Sequence, residues 1–94
     1  MNREGGVMMK QFQYVISDPI GLHARPAGLL VKAAKALDST ITIAREDGAS
    51  ANAARLMAVM SLAIKSGSTV TVTVEGGSEE SSFAAMEKFF RENL

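Results

Sequence analysis

Thr69-Val70-Thr71-Val72-Thr73-Val74-Glu75 sets valine against a polar residue at every second position. Side chains along a strand point to opposite faces with a period of two, so this segment reads as a strand with valine toward a core and threonine toward water. A sheet with one solvated face is characteristic of antiparallel pairing, because the crossover helices of parallel sheets cover both sides. Three further segments carry strand patterns. Phe12, Tyr14 and Ile16 alternate with Gln11, Gln13 and Val15. Ser39 to Ala44 places Ile41 and Ile43 on one side, and Glu46-Asp47-Gly48 reads as a hairpin turn into a short strand from Ala49 to Asn52.

Three other stretches have helical spacing. From Pro26 to about Leu37, the residues Ala27, Leu30, Ala34 and Leu37 share one face, with Lys32 and Lys35 elsewhere. Pro26 suits a first turn, where its missing N–H costs nothing. The residue before a proline avoids the α region, which places Arg25 at the helix start rather than well inside. Arg55 to about Ala63 is apolar almost all round. Gly76-Gly77 ends the fourth strand, and Ser78 is placed to cap a last helix with Glu79 and Glu80 in its first turn. Phe83, Met86 and Phe90 form its inward stripe. The order is βαββαβα, and three helices suffice for one face only. The predicted fold is α+β: an open-faced β-sandwich, a four-stranded antiparallel sheet covered on one face by three helices.

The chain has 94 residues, enough for one domain with a modest core. It has no cysteine, which excludes disulfides and thiolate metal sites, and its single histidine argues against structural zinc. No apolar run approaches the roughly 20 residues that span a bilayer. Residues 1 to 9 lack the apolar centre of a signal peptide, so a cytoplasmic location is expected. The net charge of zero hides a polarised distribution. Pro19 to Leu37 holds no acid and Arg25, Lys32 and Lys35 give +3; Gly48 to Val74 holds no acid and Arg55 and Lys65 give +2. Glu75 to Leu94 carries five acids against Lys88 and Arg91. If the basic stretches share a face, it steers acidic or phosphorylated partners. A neutral, aromatic-poor chain is a poor nucleic-acid binder.

The one histidine lies in Gly21-Leu22-His23-Ala24-Arg25-Pro26-Ala27, where strand gives way to helix. A helix start offers unpaired N–H groups and the positive end of a dipole, a ready site for a phosphoryl group. Neutral imidazole is nucleophilic, and a nearby guanidinium disfavours a second cation before transfer and pairs with the phosphoryl dianion after it. Transfer to histidine and onward is therefore coherent chemistry. Gly28, one turn on, leaves room for a close approach. The short helix cannot hide all its apolar faces over so small a sheet. Leu56, Met57 and Met60 are expected to stay partly exposed with Leu29, and flexible methionines suit several partners.

The segment from Gly21 to Ala27, with Asn52 and Leu56-Met57-Ala58-Val59-Met60-Ser61-Leu62 downstream, resembles the bacterial histidine-containing phosphocarrier (HPr) family of the phosphoenolpyruvate-dependent sugar phosphotransferase system. The resemblance covers residues 9–94 as one domain; residues 1–8 are expected to form a disordered extension, with Met8 or Met9 as the start. It implies the same open-faced fold. It also implies a phosphocarrier rather than an autonomous enzyme, with no metal or other cofactor. By the resemblance, His23 accepts a phosphoryl group on Nδ1 from phosphorylated enzyme I and passes it to a histidine of a sugar-specific IIA component. Arg25 stabilises the phosphohistidine, and His23 caps its own helix. Ala24, Gly28, Leu29, Arg55, Leu56, Met57 and Met60 form the docking face of a monomer that serves both partners, with no membrane insertion. Many family members open the short helix with a serine that a regulatory kinase phosphorylates; here that position is Arg55, so the switch is expected to be absent. The alternative is an HPr-like regulatory module, or a nitrogen-branch or glycerone-kinase-linked carrier, acting mainly by docking.

Overall fold

A computed structural model describes residues 9–94; the extension expected over residues 1–8 lies outside them. The elements are β1 (Met9–Val15), α1 (Ala24–Lys35), β2 (Thr40–Arg45), β3 (Ser50–Asn52), α2 (Leu56–Ser61), β4 (Thr69–Glu75) and α3 (Glu79–Asn93). This is the predicted βαββαβα order. The strands form one sheet in the order β1-β4-β2-β3, with every neighbouring pair antiparallel. β1 and β2 therefore run the same way with β4 between them, and α1 makes the crossover. β3 and β4 likewise flank β2, and α2 makes the second crossover.

Register follows the two-residue period. Phe12 faces Val72, which faces Ile43, and these inward positions meet the helices. On the other face Gln11 lies opposite Thr73 and Thr73 opposite Thr42, with the Gln11 side-chain amide donating to Thr73 Oγ1 at 3.2 Å. The helix-covered core holds Leu30, Ile41, Ile43, Val59, Val70, Val72, Val74, Met86 and Phe90, all essentially closed to solvent. Phe90 packs edge-on against Phe12 and Tyr14, with ring centres 5.6 and 5.4 Å apart, and thereby fixes α3 across β1. Among the described residues no helix is long and apolar enough to cross a membrane.

Three local expectations are corrected. α1 begins at Ala24, two residues before the predicted Pro26. Pro26 is the third helical residue, and the first N–H groups of a helix have no intrahelical acceptor, so a proline there still breaks no bond. The second helix is shorter than the stretch Arg55 to Ala63, because Arg55 is its extended N-cap and Ala63 turns left-handed at φ +50°. Ser78 does stand at the N-cap of α3, yet its hydroxyl makes no capping bond. It donates to Asp38 Oδ2 at 3.0 Å, while Asp38 Oδ1 accepts the Ser78 amide at 3.0 Å. Glu79 is buried and accepts the Gly76 amide instead.

Candidate functional site

The loop between β1 and α1 is fastened before it reaches His23. The Ser17 and Asp18 amides both donate to the Leu94 carbonyl, at 2.6 and 2.9 Å, so the end of α3 buttresses the loop. Asp18 closes a turn of its own. Its Oδ1 accepts the Ile20 amide at 2.9 Å and its carbonyl accepts the Gly21 amide at 2.9 Å. Gly21 then adopts φ +84°, and a Cβ there would lie 2.6 Å from the Ile64 carbonyl oxygen. Only glycine serves such a place. Leu22 donates to that same carbonyl at 2.9 Å.

His23 is the N-cap of α1. Its backbone is extended and its carbonyl accepts the Ala27 amide at 2.9 Å, the first bond of the helix. The imidazole makes no capping bond and remains partly exposed. The Ala24 and Arg25 amides have no acceptor among the described residues, and Pro26 carries no N–H. The first turn holds no acid, so nothing on α1 offsets the positive end of its dipole. Beside the ring lies a shallow cleft of about 260 Å³ bordered by His23, Arg25, Leu29, Asp18, Glu92 and Asn93. His23 Nε2 points toward Asp18, 3.9 Å from Oδ1. A nitrogen nucleophile, a guanidinium and two unpaired amides thus meet at one helix end, a combination suited to a tetrahedral oxyanion.

Around this point the molecule shows its apolar side chains to solvent. Ile20 is 70% exposed, Leu29 43%, Leu56 41%, Met57 79% and Met60 37%. The other large apolar residues exposed among those described, Met9 and Val15, sit on β1. α1 packs against α2, so the expected Ala24, Arg25, Gly28, Leu29 and Arg55, Leu56, Met57, Met60 belong to two adjoining helices. A Cβ at Gly28 would meet nothing within 4 Å, so that glycine is not demanded by internal packing. Val59, between the exposed residues, is buried and anchors α2. Arg45 holds its far end, donating from Nη1 to the Leu62 carbonyl at 2.6 Å while pairing with Asp47. The Arg45 guanidinium and the Ala49 amide keep the Asp47 carboxyl down at about 2.

Three residues that border the cleft with His23 have no part in the sequence reading of the site: Asp18, Glu92 and Asn93. Ser17-Asp18-Pro19-Ile20-Gly21 does carry turn residues, and an aspartate before a proline is a turn-forming signal. Glu92 and Asn93 have no local signal, because they reach the cleft from the last turn of a helix some seventy residues away in sequence.

The fold and this site together define an open-faced sandwich that holds one histidine at the start of a helix whose first turn carries no acid. A family model described as the PTS HPr component phosphorylation site matches residues 10–92. The phosphocarrier protein HPr of Lysinibacillus sphaericus is 42% identical over 89% of this chain and 94% of its own length. The HPr-like protein Crh of Halalkalibacterium halodurans is also 42% identical, over 86% of this chain and 95% of its own. The crystal structure of a phosphocarrier protein HPr from Bacillus anthracis superposes with a TM-score of 0.80 at 38% identity, covering 87% of this chain and 96% of that one. The chain belongs to the HPr family of phosphocarrier proteins.

Proposed function

We propose that residues 9–94 act as a monomeric, cytoplasmic phosphocarrier that shuttles a phosphoryl group through His23. The observation that carries this reading is the placement of His23 at the start of α1, whose first turn holds no acid and where Arg25 borders the same cleft. The Nδ1 lone pair forms a bond to phosphorus as the bond between phosphorus and enzyme I breaks, the electron pair staying with enzyme I. Onward transfer to a histidine of a IIA component reverses these roles. Arg25 and the amides of Ala24 and Arg25 hold the phosphoryl oxygens while the group waits. The exposed Leu29, Leu56, Met57 and Met60 surface receives both partners in turn, since each must reach the same nitrogen. The protein has no turnover of its own in this scheme; it is a reactant shared by two enzymes.

Arg55 at the N-cap of α2 leaves no hydroxyl at the position the regulatory serine occupies in many family members. Ser61 hydrogen-bonds the Ala58 carbonyl within the helix, and Ser50 lies on β3. The likeness to Crh brings forward a second reading, a regulatory module acting by docking alone. The histidine at the helix start weighs against it. Phosphoenolpyruvate and enzyme I should place one acid-labile phosphate on the wild-type chain and none on His23→Ala. Docking without label would favour the regulatory reading.

A further inference from the structure

We propose that Asp18 is a positioning residue for His23: its carboxylate holds the ring proton on Nε2 and so keeps the Nδ1 lone pair available. This rests on the reading of His23 as the phosphoryl acceptor. Among the described residues Asp18 is the one carboxylate with an oxygen within 4 Å of a His23 nitrogen, and that nitrogen is Nε2. At 3.9 Å the two are too far apart for a hydrogen bond, so the carboxylate acts through its charge: neutral imidazole carries one proton, and a fixed negative charge favours it on the nearer nitrogen.

The carboxylate is itself immobilised. Its Oδ1 is engaged by the Ile20 amide at 2.9 Å, its own amide by the Leu94 carbonyl at 2.9 Å, and its carbonyl by the Gly21 amide at 2.9 Å. Three bonds thus fix Asp18 relative to the helix start. The ring meets a charge held by the loop and by Leu94, not a wandering surface side chain. Both groups are partly open to solvent, with side chains 35% and 24% exposed, so the effect is graded and not absolute.

The same placement serves the transfer. As Nδ1 bonds to phosphorus, the donor's bond to phosphorus breaks and its electron pair leaves with the donor. The ring gains positive charge, its proton remains on Nε2 throughout, and the carboxylate opposite stabilises that charge. When the phosphoryl group departs, the electron pair returns to Nδ1 and the charge is lost. The group that Asp18 favours is therefore the charged ring of transfer, while Arg25, which borders the same cleft, answers the phosphoryl oxygens. Glu92 also borders the cleft, but no nitrogen of His23 lies within 4 Å of it among the described residues.

The test compares Asp18→Asn, which keeps an oxygen for the Ile20 amide and removes the charge, with Asp18→Ala, which removes both. Long-range nitrogen–proton correlation on the histidine ring of the unphosphorylated protein, at about pH 8.5 where imidazole is ordinarily neutral, reads the tautomer without any partner. The wild type should be protonated on Nε2, and Asp18→Asn should shift the ratio toward the Nδ1–H form with the fold intact. Phosphoryl uptake from enzyme I should slow about two- to fivefold in Asp18→Asn, with KM for enzyme I unchanged, because the docking surface is untouched. A wild-type ring protonated on Nδ1, or a ratio that Asp18→Asn leaves in place, would overturn the proposal. So would an equal shift in Glu92→Gln. Failure of enzyme I to label the wild type would instead sink the carrier reading, and the tautomer ratio would still decide the role of Asp18.

Discussion

The Leu22 amide and the Ile64 carbonyl, 2.9 Å apart, join the loop that presents His23 to the segment that follows α2. That bond couples the histidine proposed as phosphoryl acceptor to the surface proposed for partners. It forms only because Gly21, one residue earlier, passes against the same carbonyl with φ +84°. Gly21→Ala should therefore cost about 2 kcal/mol or more, the sum of a left-handed alanine and a steric clash. Denaturant unfolding measures it. A loss below about 0.5 kcal/mol would mean the loop is not held there.

Met57 should matter to partners and not to folding. It is 79% exposed, so Met57→Glu should leave the melting temperature within a degree or two. The same change should raise KM for both enzyme I and the IIA acceptor on the order of tenfold, as loss of an apolar contact at the centre of an interface does. An effect on one partner alone would contradict a shared docking face.

How much of this was legible beforehand depended on the range of the forces involved. β4 was read to its exact bounds because its alternation is local and uninterrupted. His23 and Arg25 stood out because a turn, a proline and a helix pattern converge within a few residues. The start of α1 is two residues earlier than the spacing predicts, because a first turn accepts a proline without losing a bond. The partner of Ser78 is hidden for another reason: Asp38 lies forty residues away. Asp18 and Glu92 meet at the cleft only after the end of α3 docks on the loop. Tertiary contacts of that kind leave no periodic trace.

Arg55 should act through charge. Exposed at the N-cap of α2, beside apolar Leu56 and Met57, it would attract an acidic or phosphorylated partner. Arg55→Ser should reduce kcat/KM for transfer from enzyme I about two- to threefold at low salt and flatten its dependence on ionic strength. Unchanged rates and an unchanged salt slope would remove Arg55 from the docking face.

Acid should weaken the fold at two carboxylates that lie at opposite ends of the sheet, Asp38 before β2 and Asp47 after it. The Ser78 amide and hydroxyl hold the Asp38 carboxyl below its usual range, and Arg45 holds Asp47 down to about 2. A carboxyl whose folded value is depressed contributes stability that is complete above the unfolded value near 4 and is lost as pH falls toward the folded one. Unfolding free energy should accordingly fall between about pH 5 and pH 2, and Asp38→Asn should show a shallower fall. Both groups are exposed, so the contribution is small. An identical acid profile in wild type and Asp38→Asn would show that Asp38 plays no part.

The most direct measurement concerns the bond itself. Enzyme I and phosphoenolpyruvate would load protein labelled with nitrogen-15 in its single histidine, and nitrogen–phosphorus coupling would locate the phosphorus. The account predicts one phosphoryl group, on Nδ1 of His23, with the proton on Nε2 beside Asp18. Phosphorus on Nε2, or on any other residue, would contradict it.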